Sequence, residues 1–197
     1  MRNLRSILLT GGAGFIGSSL ARHLLLAEEL QRLIVLDKLT YAGNRGHLIG
    51  PDQDPRFAFI EGDISDRDLV SRLLQEHEVT GVFNLAAESH VARSLEAKEV
   101  FVTSNVAGTL QLVEACREFH VPLLQCSTDE VYGSVDPPGR FVEISRLNPT
   151  TPYAASKAAA DLFCLSAVRC HGQDIIITRS SNNYGPRQHV EKLVPRL

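Results

Sequence analysis

The chain has 197 residues, 44% hydrophobic and 22% charged, with a formal net charge of -3 at pH 7. That length suits one generous domain able to bury its own core, and no run of Lys and Arg is dense enough to displace counterions from a nucleic-acid backbone. No apolar stretch approaches a membrane span, and the first one breaks at glycines too early for a signal peptide. The expected partner is a small molecule or another protein, and the expected compartment is the cytoplasm.

Short apolar runs alternate with helix-length segments. In chain order these are SILLT, a helix over 18–30, RLIVLD, FAFIEGD, a helix over DLVSRLLQEH, GVFNLAA, a long helical stretch ending near Phe119, VPLLQCS, a helix from Ala154, and DIIIT. Strands apolar on both faces belong to a parallel sheet covered by helices, so the predicted fold is doubly wound α/β of the Rossmann type. Residues 133–152 form a long irregular stretch with four prolines, a length that in a compact domain marks a functional loop. From Ala159 to Val168 only Asp161 and Ser166 are polar, more apolar surface than one face against a sheet requires. A homodimer formed through the helices around 104–118 and 154–170 is expected. Cys116, Cys126, Cys164 and Cys170 have no CxxC spacing and no matching histidine pattern, which points to reduced thiols and to no metal.

TGGAGFIG follows the first strand and opens the first helix, with Gly11, Gly14 and Gly17 at three-residue spacing. Glycine allows a tight turn and close approach of backbone to a pyrophosphate, and the helix start, with Phe15 and Ile16, turns amide donors toward that anion. Asp37 ends the second strand twenty residues beyond Gly17, where a carboxylate can accept from both ribose hydroxyls and repel a 2′-phosphate. NAD is therefore expected in preference to NADP; Lys38, the next residue at the cofactor site, speaks the other way, but no arginine pocket accompanies it. Asp63 and Ile64 in GDIS would reach the adenine side, or Asp63 would cap the next helix. In NLAAESH, Ala86 and Ala87 would face the middle of the dinucleotide.

Tyr153 and Lys157 lie four apart on one helix face. A free phenol, with a pKa of about 10, is a poor base at neutral pH. An ammonium one turn away, with the ribose and the positive nicotinamide nearby, is expected to lower that value and let Tyr153 exchange a proton with a substrate hydroxyl. Thr128 would bind the same oxygen. Asp129 and Glu130 follow it where the strand should break, a pair suited to elimination of water, with Glu130 as base and Asp129 as acid.

Taken together, TGGAGFIG, VLDKLTYAGN, GDISD, NLAAESHV, STDEVYG, TTPYAASKAAADL and TRSSNNYGPRQ resemble the nucleoside-diphosphate-sugar dehydratases of the extended short-chain dehydrogenase/reductase superfamily, nearest to the dTDP-glucose 4,6-dehydratase pattern. The resemblance implies a hydro-lyase of deoxysugar biosynthesis acting on dTDP-glucose or a related nucleotide sugar. It implies oxidation at C4 with Tyr153 as base, loss of water across C5–C6 through Glu130 and Asp129, and hydride return to C6. It also implies a substrate wall that includes Glu88, Ser89, His90, Thr128 and Asn182. The alternatives are a sugar-nucleotide 4-epimerase, against which the acidic pair speaks, and a non-catalytic NAD-binding module.

Three departures from the family pattern stand out. Ala92 replaces an Asp, with an expected loss of helix capping or loop order. His189 and Val190 replace a rigid turn and an aromatic contact, His189 being expected at the surface. Finally, residues 1–197 are expected to be the NAD-binding domain, with 186–197 leading toward a smaller substrate domain that the sequence does not contain.

Overall fold

The computed structural model describes residues 4–197. Its six-stranded sheet has the order β3-β2-β1-β4-β5-β6, built from β1 (Ser6–Thr10), β2 (Arg32–Asp37), β3 (Phe57–Glu61), β4 (Gly81–Asn84), β5 (Leu123–Thr128) and β6 (Ile175–Ser180). Every neighbouring pair is parallel. This is the doubly wound Rossmann sheet, and its strand order reverses at β1, between β2 and β4. Ligands in such sheets bind beyond the carboxyl ends at that reversal.

Side chains alternate across the strands. Ile7, Leu9, Leu33 and Val35 join Ala21 and Leu30 in one core, beneath α1 (Phe15–Leu24). Leu8, Ile34, Leu36 and Leu123 point the other way, into a core with Val70, Leu73, Leu112, Cys116 and Cys164. That layer is formed by α2 (Arg67–Glu76), α5 (Thr109–Glu118) and α6 (Pro152–His171). Ahead of α5 lie α3 (Val91–Glu96) and α4 (Lys98–Phe101).

Several boundaries differ from the sequence expectation. α1 starts inside the glycine motif and stops at Leu24, because Arg56 donates to the Leu25, Ala27 and Leu30 carbonyls at 2.5, 3.0 and 3.2 Å. The long helix ending near Phe119 is interrupted by a π-helical segment, Val102–Gly108. Asp66, accepting from Leu69 N at 3.0 Å, caps α2 in place of Asp63. α6 begins two residues before Ala154, with Thr151 Oγ1 as cap and Pro152 at its start, and ends at Gly172 with φ +64°. Among the described residues, no helix is long and apolar enough to cross a membrane.

Candidate active site

The chain makes its tightest turn between β1 and α1. Gly11 has φ +66°, and a Cβ there would meet Ala86 N and Leu85 C at 2.6 Å. A Cβ at Gly17 would collide with the Gly11 carbonyl oxygen, so glycine lets the helix sit against the turn. α1 has no side-chain cap on Gly14; its first amides are left to a ligand, as at an anion-binding helix start. Asp37 braces the turn from β2: Oδ2 accepts from Ala13 N at 2.9 Å and Oδ1 from Leu39 N at 2.8 Å. Burial raises its carboxyl above the ordinary aspartate value, while those two amides pull it back down. Each oxygen keeps a second lone pair for a ribose hydroxyl.

A cleft of about 480 Å3 opens over this turn, within the range of small-molecule pockets. Its wall includes Gly11, Gly14, Phe15, Ile16 and Gly17 from the turn and α1, Asp37 and Lys38 after β2, and Asp63 and Ile64 after β3. Ala86, Ala87, Glu88 and Ser89 after β4, Thr128 and Glu130 after β5, Tyr153 and Lys157 from α6, and Asn182 after β6 complete the expected set. Asp129 and His90 do not line it. Glycines that exclude any side chain, an uncapped helix start and a braced carboxylate together fit a dinucleotide.

Within the cleft wall Lys38 donates to Asp63 Oδ2 at 3.1 Å and to Ser104 Oγ at 2.9 Å. Burial pushes the Asp63 carboxyl up, but the Ser65 amide and Lys38 outweigh it and leave the group below its ordinary value. Asp63 therefore anchors Lys38 and its own turn, in addition to facing the cleft.

The catalytic candidates meet on the opposite wall. β5 ends at Thr128, and a 3-10 turn, Asp129–Tyr132, begins at once; the expected break is there. With three residues per turn, successive side chains diverge by about 120°. Glu130 enters the wall, whereas Asp129 stays beside Thr128, its Oδ1 accepting from Oγ1 at 3.4 Å. Burial, and then the neighbouring Asp129 charge, raise the Glu130 carboxyl, with Lys192 opposing. A raised value makes the ionised form the stronger base.

The protein's own groups do not by themselves lower the Tyr153 phenol. Burial and the Glu130 charge raise its phenol well above the ordinary value, with the Thr128 hydrogen bond opposing. Lys157 Nζ is directed at the Cys126 carbonyl, 2.7 Å away, and does not bring about the depression assigned to it from the sequence. The Tyr153 ring is held edge-on by Phe101, centroids 6.4 Å apart.

On the substrate side, Asn105, within the π-helical segment, accepts from Glu88 N at 2.8 Å and donates to Glu88 O at 2.9 Å. Tyr41 lies between the Ser89 hydroxyl, 3.3 Å from its own, and the Arg93 guanidinium, 4.4 Å from its ring centroid. His90 pairs with Glu191 at 2.8 Å and caps α3 by accepting from Arg93 N at 3.3 Å. The cap that Ala92 was expected to forfeit therefore comes from His90. His189 lines the cleft wall with its side chain still 36% exposed, its ring edge-on to Tyr41 at 5.5 Å; Val190 is exposed. Arg187, at φ +70°, reaches back to α1 and donates to Ser18 Oγ at 3.2 Å and Ser19 Oγ at 3.0 Å.

Sequence reasoning missed Tyr41, Ser104, Asn105 and Arg187. The polar pair and glycine in SNVAGT signal a disturbed helix, and π-helical turns gather at functional sites. Among the described residues no group of three or more His, Cys, Asp or Glu is arranged to hold a metal ion.

Residues 8–197 match the family model described as GDP-mannose 4,6 dehydratase. The dTDP-glucose 4,6-dehydratase of Actinoplanes sp. is 46% identical over 96% of this chain and 60% of its own length. The crystal structure of DesIV, a dTDP-glucose 4,6-dehydratase from Streptomyces venezuelae with NAD bound, superposes with a TM-score of 0.93 at 48% identity, over 97% of this chain and 60% of that one. The UDP-glucose 4-epimerase of Thermus thermophilus, in complex with NAD, gives a TM-score of 0.83 at 36% identity, over 94% of this chain and 58% of that one. The chain thus spans about 60% of the length of the relatives it matches.

Proposed function

The chain belongs to the GDP-mannose 4,6 dehydratase family, and on that premise we propose that residues 1–197 are the NAD-binding domain of a nucleotide-sugar 4,6-dehydratase acting on dTDP-glucose or a close relative. One observation carries this reading: a single cleft is walled by the glycine turn and Asp37 on one side and by Thr128, Glu130, Tyr153 and Lys157 on the other. Gly11, Gly14, Gly17 and the α1 amides would hold the pyrophosphate, and Asp37 a ribose. NAD, when bound, supplies the hydride acceptor for the sugar C4 and the donor for C6.

The chain's own groups move the protons. Tyr153, with Thr128 on the same oxygen, takes the proton of the C4 hydroxyl. Its raised value in the protein alone means that the cationic nicotinamide is needed to make phenolate accessible. Glu130 removes the C5 hydrogen once C4 is a ketone, and burial strengthens it for that task. Asp129 protonates the departing C6 hydroxyl, which requires its side chain to leave Thr128 and turn into the cleft. Glu88, Ser89, His90 and Asn182 form the sugar side, His90 acting through the wall it fixes with Glu191.

The active unit is a homodimer joined through the helices around 104–118 and 154–170; Val102, just ahead of the first, and Leu162, Phe163 and Val168 on α6 are exposed. It works in the cytoplasm, where its four free thiols stay reduced. The test is calorimetric titration with NAD+ followed by incubation with dTDP-glucose. The expected outcome is binding, then the alkali-induced absorbance of a 4-keto-6-deoxy sugar. Formation of dTDP-galactose would establish an epimerase instead, and binding without product would reduce the chain to an NAD-binding module.

A further inference from the structure

α6 buries two charged side chains one turn apart. Lys157 is 4% exposed and Asp161 is fully buried; residues four apart on a helix share a face. Asp161 Oδ2 accepts from Arg179 Nε at 2.8 Å, while Oδ1 has no hydrogen-bond partner among the described residues. Leaving such an atom unpaired costs about 1–3 kcal/mol, and a carboxylate kept only to neutralise Arg179 would use both oxygens in a two-pronged pair. Arg179 instead donates from Nη1 to both Tyr132 Oη at 2.7 Å and the Glu143 carbonyl at 3.3 Å. The ion pair therefore joins three pieces: the helix that carries Tyr153 and Lys157, the 3-10 turn that starts with Asp129 and Glu130, and the long loop after it.

Burial favours neutral lysine, and Lys157 is held below its ordinary value, with desolvation as the largest cause. The titratable groups that oppose it are Cys126 from β5 and Asp161 and Cys164 from α6; Tyr153 lies one turn earlier. Asp161 is the only carboxylate of the four.

We propose that Asp161 is a positioning residue: its buried charge, one helical turn from Lys157 and without direct contact to it, keeps Lys157 an ammonium at the floor of the cleft, and Arg179 sets how much carboxylate charge reaches the lysine. The catalytic consequence rests on the function proposed above; the coupling of the two charges does not.

Lys38, Lys98, Lys157 and Lys192 are the four lysines of the chain, few enough for pH titration of labelled lysine side chains by NMR, with Lys157→Arg assigning its signal. Asp161→Asn should weaken proton binding at Lys157 by about tenfold or more. Arg179→Gln should strengthen it, and Asp161→Glu should restore most of the wild-type value. An unchanged Lys157 titration in Asp161→Asn, or a shift in the same direction in both the Asp161→Asn and Arg179→Gln variants, would overturn the proposal. If Asp161→Asn does not fold, the double variant Asp161→Asn/Arg179→Gln, which buries neither charge, must still show the weakened lysine; an unchanged one would overturn the proposal equally. Calorimetry with NAD+ runs alongside. Wild-type protein that fails to bind it refutes the proposed function, while the lysine titration still decides the role of Asp161.

Discussion

Gly11 and Gly172 separate two reasons for glycine within one chain. Their φ angles are nearly equal, +66° and +64°, but a Cβ at Gly11 would meet Ala86 N and Leu85 C at 2.6 Å, whereas at Gly172 nothing lies within 4 Å. Gly172→Ala should therefore carry only the left-handed backbone penalty, about 1 kcal/mol, or roughly 2–4 °C in Tm for a chain of this size. Gly11→Ala adds overpacking against main chain that cannot rotate away, about 1–3 kcal/mol more, for a total loss of roughly 4–16 °C. It should also weaken NAD+ binding by at least about tenfold, equivalent to ~1.4 kcal/mol, because relief of the clash moves the turn off β4. Thermal denaturation and calorimetry of both variants are the assays. Equal Tm losses, or unchanged affinity in Gly11→Ala, would refute the view that close backbone approach shapes this site.

Glu130→Gln should stop water loss but allow C4 oxidation, so reduced nicotinamide absorbance accumulates on the protein; its absence would remove Glu130 from the elimination step. The same variant tests the electrostatics. A carboxyl raised in the folded state favours folding fully below its unfolded value, and that contribution is lost as pH rises through the folded one. Glu130→Gln should thus gain stability over wild type above that window and show no gain below it, and a denaturation series across pH with the opposite trend would contradict the burial argument. Tyr153→Phe should lower turnover by about 10²–10⁴-fold while changing NAD+ affinity little; full dehydration by that variant would unseat the phenol. Phe163→Glu should shift the protein to monomer in sedimentation, and an unaltered assembly would exclude α6 from the contact.

What could be read from the sequence followed from local rules. RLIVLD is β2 from its first residue to its last, marked by the unbroken apolar run Leu33–Leu36 that a strand covered on both faces carries. The glycine triplet and Asp37 stand in fixed relation to β1 and β2 and needed no distant information. What escaped was decided by contacts far along the chain. α1 stops at Leu24 because Arg56 takes the following carbonyls. Lys38 is pinned to the cleft wall because Ser104, in an unforeseen π-helical turn, accepts a hydrogen bond from it. Tyr153 and Lys157 share a helix face as their spacing requires, but burial and the Cys126 carbonyl decide what the spacing was expected to decide. Asp129 and Glu130 separate because the strand breaks into a 3-10 turn, and not merely a loop.

Arg187 ties residues near the end of the chain to serines on the first helix, across almost the whole sequence. In the proposed reaction the dinucleotide finishes in the redox form in which it began, so no exchange with the cell's pool is required between turnovers. A strap stitched to the helix beneath that dinucleotide then imposes no delay on the cycle. In that proposed cycle the cofactor would be a resident of the protein rather than a visitor.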